Sequence, residues 1–333
     1  MQENYPIDFV VTWLDGNDPA WQDEYKKYYK DEKGIDMSIA RTRDWDNLHY
    51  WFRCVEKFAP WVRKIHLVTW GHIPKWLNIN APKLNIVKHS DFIPAEYLPS
   101  FSTFPNTLNL HRIKDLAEHF VLFDDDMFIG KPCKPTRFFK HDKPVDYAQF
   151  TPINPQLPFG HYVLNSIAVL HKRYNFTTAV KQNFSKWFTY KYGFATNFKN
   201  LFLLPYINSV GLRNPHVSMS FLKSTFNTLW REEFETLDST CKNRFRSYSD
   251  IMQWVVRYEQ ILQGNFEPHS ISDTTSDWIS DKDAKKIAHY IEKQKYTLFC
   301  INDSNDIVNF EKTKATINAA FEKLVPEKSS FEM

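Results

Sequence analysis

The sequence predicts an α/β protein whose core is a Rossmann-like mixed sheet and which carries a mainly helical insertion. The main indication is the order of segments in the first half of the chain: strand, helix, strand, strand, helix, strand. This alternation is typical of a parallel or mixed sheet covered by helices. A length of 333 residues with 43% hydrophobic residues supplies a sizeable core, either as one large domain with insertions or as two domains that share a cleft.

Apolar runs and amphipathic periodicities place the elements of the first half. β-rich runs predict strands over residues 7–13, 64–70, 84–88 and 119–123. Apolar residues at three- and four-residue steps predict helices over 45–58 and 106–119, and a charged surface helix is predicted over 20–33. The helix over 106–119 would lead directly into the fourth strand.

The second half of the chain differs, because six prolines between 132 and 158 interrupt it. One strand is predicted near 145–150, helices over 163–173, 177–190, 218–235 and 249–263, and a last strand over 296–300 before a helix that ends near residue 324. We therefore predict three parts. Residues 1–150 form the first part of the core, residues 151–270 a mainly helical insertion or lid, and residues 271–333 the return to the core.

Composition excludes several classes of function. A formal net charge of +3 without a Lys/Arg block argues against nucleic-acid binding. The four cysteines form no Cys-x-x-Cys pair, which favours reduced cytosolic thiols over a zinc or redox site. No apolar run reaches the roughly 18 residues of a membrane span and no signal peptide precedes the first strand, so any membrane contact is expected to be peripheral. Aromatic residues make up 17% of the chain, which suits ring stacking on sugars or bases, membrane-surface contact or simply a ring-rich core.

Three consecutive acids, Asp124, Asp125 and Asp126, follow the fourth predicted strand. In α/β proteins, ligands collect at the carboxyl end of the strands. Adjacent carboxylates repel one another, so such a group is usually kept for a cation, a proton or a hydrogen-bond network. The alternative is a solvated acidic turn that caps the next segment.

Two other predicted strands end in similar residues. Asp15 and Asp18 follow the first strand, and Asn302 and Asp303 follow the last one. If the three strands lie in one sheet, these loops could converge on one cleft. Magnesium suits such a site because it binds through one or two carboxylates and substrate phosphates. Asp125 and Asp126 are the first choices as ligands, whereas helix capping is the alternative for Asp18 and Asp306.

Basic residues supply the other half of a candidate site. His216 lies on an approach loop where an imidazole could act as a general base, although a lone histidine is more often structural. Arginine forks match phosphate oxygens in pairs, and candidates are Arg244 and Arg246, Arg41 and Arg43, and Arg112. The alternative for each is a solvated basic turn. Since glycine-rich phosphate loops and a Gly-x-Ser-x-Gly elbow are absent from the sequence, the set fits phosphoryl transfer.

Four stretches of the chain resemble conserved regions of the Stealth proteins. Ile7-Asp8-Phe9-Val10-Val11-Thr12-Trp13-Leu14-Asp15-Gly16-Asn17-Asp18 is similar to the first region. Residues 43–77, with Val68-Thr69-Trp70-Gly71-His72, and His111-Arg112-Ile113 through Asp124-Asp125-Asp126-Met127-Phe128 resemble the second. Asn214-Pro215-His216 with Arg244-Phe245-Arg246-Ser247 resembles the third, and Cys300-Ile301-Asn302-Asp303 the fourth. Two departures stand out, because Asp124 and Trp70 occupy positions where relatives often have Asn.

The resemblance implies a nucleotide-sugar transferase type of core with an acceptor lid over residues 151–270. The family comprises bacterial capsular polysaccharide phosphotransferases and the animal N-acetylglucosamine-1-phosphotransferase. It implies transfer of a sugar-1-phosphate from a nucleotide sugar such as UDP-N-acetylglucosamine to an acceptor hydroxyl of an oligosaccharide or polysaccharide, with release of UMP and help from Mg²⁺ or Mn²⁺. The expected setting is the cytoplasm, at the inner face of a bacterial membrane.

These expectations assign roles to individual residues. The catalytic set is predicted to be His216, Arg246, Arg112 and Asp125, the donor-binding set Asp15, Gly16, Asp18, Arg43 and Asn302, and the metal ligands Asp125, Asp126 and Asp303. The first alternative is a metal-dependent glycosyltransferase that releases UDP, because Asp124-x-Asp126 satisfies an Asp-x-Asp pattern. The second is a non-catalytic carbohydrate-binding module, which the aromatic content would suit.

Overall fold

A computed structural model describes residues 5–29 and 43–333. Its strands are β1 (Ile7–Thr12), β2 (Ile65–Thr69), β3 (Leu84–Lys88), β4 (His119–Asp124), β5 (Met127–Ile129), β6 (Phe139–Lys140), β7 (Lys143–Asp146), β8 (Phe150–Thr151), β9 (Gly211–Leu212), β10 (Met219–Leu222), β11 (Glu267–Pro268), β12 (Thr274–Trp278) and β13 (Leu298–Asn302). Its helices are α1 (Pro19–Tyr28), α2 (Leu48–Phe58), α3 (His89–Phe92), α4 (Thr103–Leu108), α5 (Pro158–Arg173), α6 (Phe176–Gln182), α7 (Phe184–Trp187), α8 (Gly193–Leu203), α9 (Lys223–Glu232), α10 (Phe234–Lys242), α11 (Trp254–Leu262), α12 (Ala284–Glu292) and α13 (Phe310–Leu324).

The main sheet is mixed, which confirms the predicted fold class. Its five strands lie in the order β10-β4-β1-β2-β3. Strands β1 to β4 are parallel, and β10 pairs with β4 in the antiparallel direction at one edge. Thr12 stands beside Asp124 in the register of β1 and β4, so the loops that follow these two strands leave the sheet side by side.

The last predicted strand lies in a second sheet, which corrects the assumption of a single sheet. This sheet has the order β12-β13-β5, and β5 runs antiparallel to β13. Because β5 follows β4 after only Asp125 and Asp126, the acidic residues form the connection between the two sheets. The Ile301 amide donates a hydrogen bond to the Asp126 carbonyl oxygen at 3.0 Å, which brings the end of β13 to the acids.

Side chains of the main sheet alternate between two hydrophobic cores. Phe9, Val11 and Phe123 belong to a core with α2 and α13, whereas Val10 and Leu122 belong to a core with the helices of residues 158–262. Burial on both faces explains why β1 and β4 are almost continuously apolar. Among the described residues, no helix has the length and apolarity to cross a membrane.

Two predicted helices are wrong. In place of a helix over 106–119, α4 is followed by a 3₁₀ turn at Leu110–Arg112 and a loop in which Asp115 has a φ of 63°. In place of a helix over 218–235, the chain forms strand β10 and then α9, so residues 151–270 contribute an edge strand to the main sheet. The part of the surface helix predicted beyond residue 29 lies outside the described residues. The division of the chain at residues 150 and 270 stays a prediction.

Candidate active site

A cleft of about 810 Å³ opens at the carboxyl ends of β1 and β4, where α/β proteins commonly bind ligands. Its walls come from both sheets, from α4 and from the loops before β10 and α11. Seven residues predicted for the site line it: Arg43, Asp125, Asp126, His216, Arg246, Asn302 and Asp303. Asp124 lines it as well. The predicted convergence of the strand ends therefore occurs, although it joins two sheets.

The three acids occupy the floor of this cleft. Asp124 accepts a hydrogen bond from Thr12 Oγ1 at 3.2 Å. Burial and the neighbouring charge of Asp124 raise the pKa of Asp125 to about 7. Burial and both neighbouring carboxylates also raise the pKa of Asp126 well above its ordinary value, and a hydrogen bond with Cys300 offsets this only partly. Full ionisation of the cluster would therefore place more negative charge in the cleft than its surroundings compensate.

One carboxylate oxygen of the acidic cluster is available as a ligand for a metal ion. Among the described residues, buried Asp126 Oδ1 has no hydrogen-bond partner. No group of three or more His, Cys, Asp or Glu side chains in the described part of the chain is arranged to hold a metal ion. A divalent cation bound here would therefore need oxygen ligands from substrate and water in addition to Asp125 and Asp126. Such a mixed set is common for Mg²⁺, so the residues fit the ion.

His216 lies on the cleft wall near Asp124. Desolvation lowers the pKa of the imidazole, and the charge of Asp124 opposes this shift. The preceding loop is held in place, because Asn214 Nδ2 donates to the Tyr258 hydroxyl at 2.6 Å and Asn214 Oδ1 accepts from Arg257 at 3.0 Å. A neutral imidazole on an anchored loop can accept a proton near pH 7.

Arg246 lines the same cleft and packs against α4. Its Nη2 donates to Thr103 Oγ1 at 3.2 Å, and the guanidinium carbon stands 5.0 Å from the centre of the Phe104 ring. The turn that carries it is fixed by Asp250, which accepts from the Ser247 amide at 2.7 Å. A guanidinium in this place supplies positive charge to the cleft.

Arg43 and Asp303 were predicted to bind different ligands, but they bind each other. Arg43 Nε donates to Asp303 Oδ2 at 2.9 Å, and each side chain is only 11% exposed. Trp45 Nε1 donates to the same carboxylate oxygen at 3.1 Å, and the Ser304 amide donates to the other at 2.6 Å. Both oxygens of Asp303 are thus occupied, which argues against the predicted metal-ligand role. Arg41 lies outside the described residues.

Asn302 completes this wall of the cleft. Its side chain is buried, and Nδ2 donates to Ser276 Oγ at 2.9 Å. The contact ties the end of β13 to β12.

Four predicted site residues do not line the cleft. Asp18 caps α1, because its Oδ1 accepts from the Trp21 amide at 2.9 Å, which is the capping alternative. Asp15 accepts from the Asn17 amide, and the Gly16 carbonyl accepts from Gln22, so both stabilise the same turn. Exposed Arg112 donates to Asn109 at 2.9 Å and stacks 4.9 Å from the Trp230 ring centre. These contacts give no support to donor binding or catalysis by the four residues.

Several cleft residues escaped prediction. Trp278, Phe159 and Trp254 line the cleft, and Trp278 is 65% exposed. His89 also lines it, burial lowers the pKa of its imidazole to about 4, and its Nε2 lies 3.1 Å from Asn106 Nδ2. For the three ring residues the only signal in the sequence is the high aromatic content, which does not indicate positions.

One cleft of this α/β protein thus combines carboxylates, an imidazole and guanidinium groups. This combination is typical of an enzyme that transfers a charged group. The family model for Stealth protein conserved region 1 matches residues 5–31, and the model for conserved region 2 matches residues 41–146. Full-length relatives agree with both matches. The chain belongs to the Stealth family and is a transferase of the phosphotransferase type.

Three relatives illustrate this similarity. The chain is 42% identical to a capsular polysaccharide phosphotransferase, WcwK, of Streptococcus pneumoniae, over 98% of each chain. It is 36% identical to a receptor polysaccharide phosphotransferase, WefC, of Streptococcus oralis, over 98% of this chain and 99% of the relative. It is 33% identical to an exopolysaccharide phosphotransferase, cps2G, of Lactiplantibacillus plantarum, over 98% and 96%.

Solved structures resemble the chain only distantly. The galactosyltransferase LgtC in complex with donor and acceptor sugar analogues gives a TM-score of 0.35 at 10% identity, covering 94% of this chain and 95% of that chain. The bifunctional glycosyltransferase WbbM gives a TM-score of 0.39 at 8% identity, covering 96% and 52%. At such scores the likeness carries no functional weight.

Proposed function

We propose that the protein transfers a hexose-1-phosphate, such as N-acetylhexosamine-1-phosphate, from a UDP-sugar to a sugar hydroxyl in the synthesis of a capsular or other cell-surface polysaccharide. The observation that carries the proposal is the uncompensated acidic cluster at Asp124, Asp125 and Asp126, which faces a histidine and an arginine in one cleft. The relatives, which are polysaccharide phosphotransferases, support the same reaction class.

The proposed step is a displacement at phosphorus. The acceptor oxygen attacks the β-phosphorus of the donor, the bond from that phosphorus to the bridging oxygen breaks, and UMP leaves with the bond electrons. A ring nitrogen of His216 takes the proton of the acceptor hydroxyl, and its lowered pKa keeps the imidazole neutral beforehand. Arg246 stabilises negative charge on the phosphoryl oxygens. The product is a phosphodiester.

The acids have a separate role in this proposal. Asp125 and Asp126 would hold Mg²⁺ or Mn²⁺, which when bound supplies positive charge to the donor diphosphate. Both carboxyl groups must be ionised to hold the ion, and since the pKa of Asp125 is about 7 and that of Asp126 is also raised, occupancy of the site would increase with pH. Arg43 would remain paired with Asp303 and shape the wall of the cleft beside Asn302.

Identification of the nucleotide product tests the reaction. The purified chain is incubated with MgCl₂ or MnCl₂, with UDP-N-acetylglucosamine, UDP-glucose or UDP-galactose, and with a panel of methyl hexosides as acceptors. Anion-exchange chromatography separates UMP from UDP, and ³¹P NMR detects a phosphodiester. We expect UMP and a phosphodiester with at least one pair of substrates.

The alternatives give different results. Release of UDP without a phosphodiester would identify a glycosyltransferase, and turnover of none of the donors would contradict the UDP-sugar assignment. Asp126→Asn should abolish turnover, whereas Asp306→Asn, which removes an exposed acid from the same cleft, should retain it. Equal loss in both variants would refute the assigned role of the acidic cluster.

A further inference from the structure

Helix α8 is amphipathic, but its buried face carries polar side chains, Thr196 and Asn200, and its exposed face carries apolar ones. Asn200 is fully buried, and its Nδ2 donates to the carbonyl oxygens of Ala148 and Trp187 at 3.0 and 3.1 Å. Asn200 Oδ1 accepts from the Phe150 amide at 2.8 Å. Buried Thr196 forms a hydrogen bond with the Tyr147 hydroxyl. Polar contacts therefore attach the inner face of α8 to β8 and its neighbours.

The outer face of α8 is apolar instead. Phe194, Phe198, Leu201 and Phe202 follow a spacing of four, three and one residues, which places them on the side opposite Thr196 and Asn200. Tyr190 before the helix and Tyr206 after it extend the same surface. We name these six residues the aromatic face, and their exposed fractions range from 59% for Phe198 to 89% for Tyr190.

The aromatic face is too large for an incidental surface feature. An aromatic side chain presents roughly 150–250 Å², so five such side chains and one leucine, all more than half exposed, offer several hundred square ångströms. The largest apolar patch on a typical monomer covers about 300–600 Å² and often has a function. A partner with an apolar layer is therefore expected.

Charge identifies the kind of partner. Residues 147–231 contain no Asp or Glu and nine Lys or Arg, although the whole chain has a formal net charge of only +3. The remaining residues carry 33 Lys or Arg against 39 Asp or Glu, a formal net charge of −6. Lys191 and Lys199 stand among the exposed rings themselves. The partner should thus combine an apolar layer with negative charge.

We propose that the aromatic face docks the protein onto an anionic phospholipid surface. Rings and aliphatic side chains enter the boundary between headgroups and acyl chains, and the lysines contact acidic headgroups. A second copy of the chain is a poorer fit, because two such faces would bring two strongly positive surfaces together. The helix is connected to the active-site loop, because Asn200 contacts β8, β8 pairs with β9, and the chain from β9 leads to His216.

Flotation of the full chain with lipid vesicles tests the proposal. Vesicles of phosphatidylcholine alone are compared with vesicles of phosphatidylcholine and phosphatidylglycerol. We expect binding to the mixed vesicles only, and weaker binding at high ionic strength. Phe194→Gln with Phe202→Gln should reduce partitioning about tenfold or more, and Lys191→Gln with Lys199→Gln should reduce it about fivefold per charge.

Matched control variants distinguish binding through this surface from non-specific adsorption to the vesicles. Ile79→Gln with Val308→Gln removes two other exposed apolar side chains, and Lys282→Gln with Lys285→Gln removes two lysine charges from an exposed surface elsewhere. Both controls should bind like the original chain. The proposal is wrong if the original chain stays unbound, if neutral vesicles bind it equally, or if the phenylalanine variant binds unchanged. It is also wrong if light scattering reveals a dimer that this variant dissociates, because the face would then join two copies.

Discussion

Asp125→Asn should stabilise the metal-free protein. The pKa of Asp125 lies at about 7, against an ordinary value of 3.8. At about 1.36 kcal/mol per pH unit between the two values, the ionised side chain disfavours the folded state by at most about 4 kcal/mol. Solvent in the cleft screens the repulsion, which reduces the expected gain to about 1–2 kcal/mol, or a rise in Tm of about 1–4 °C.

The pH dependence of this gain has a definite sign. The folded protein holds the proton more tightly than the unfolded chain, so the carboxyl group destabilises the fold increasingly as pH rises from 3.8 towards 7 and constantly above 7. Asparagine cannot ionise, and the difference in Tm between variant and original should therefore be larger at about pH 8 than at about pH 5.

Thermal unfolding in a metal chelator measures this difference. Asp306→Asn is the matched control, because it removes an exposed acid from the same cleft, and it should change Tm much less. Added MgCl₂ or MnCl₂ should stabilise the original chain more than Asp125→Asn. A variant that is no more stable than the original at about pH 8, or a difference that does not change with pH, would refute the interpretation.

Three further predictions follow from the same contacts. His216→Gln should lower kcat about a hundredfold or more without raising the donor KM, and steady-state kinetics that change KM alone would contradict the base assignment. The affinity for Mn²⁺, measured by calorimetry, should rise with pH through about 7, because protons compete for Asp125 and Asp126, whereas a flat profile would exclude this competition. Arg43→Gln and Asp303→Asn should each lower Tm. The loss of unfolding free energy in the double variant should be smaller than the sum of the two single losses by about 0.5 kcal/mol or more. Additive effects would contradict the pairing.

Periodicity predicted the elements that bury a regular face. Strand β3 was predicted with its observed bounds, and α2 was predicted within a few residues, because their apolar residues recur at strand or helix spacing. The same criterion failed over 106–119, where Leu110, Ile113 and Ala117 satisfy helical spacing but the Ala117 amide donates to Asp8 instead. Strand β10 was missed because its short and mostly apolar run, Met219-Ser220-Phe221-Leu222, stands before a helix and resembles the helix itself.

Site residues were predictable where chemistry and strand position coincide. Asp124 and Asn302 end their strands, and Asp125 and Asp126 directly follow β4, so the place of all four at the cleft follows from the order of elements. The pairing of Arg43 with Asp303 spans 260 residues, and no local pattern encodes such a contact. Arg112 was assigned to the site because a helix over residues 106–119 was predicted to lead into the acidic strand, and this helix does not form. Trp278 was missed because β12 is short and largely polar.

The acidic cluster cannot relieve its own repulsion by moving apart. Asp124 is the last residue of β4 and accepts from Thr12 of β1, and the Asp126 carbonyl oxygen accepts from Ile301 of β13. The backbone on either side of Asp125 is thereby fixed by two different sheets. Burial and this repulsion together raise the pKa of Asp125 and Asp126, and either protonation or a cation can relieve the repulsion. A bound cation would relieve the repulsion without rearranging the fold. The passage of the chain from one sheet to the other between β4 and β5 therefore holds the acids in position for a cation.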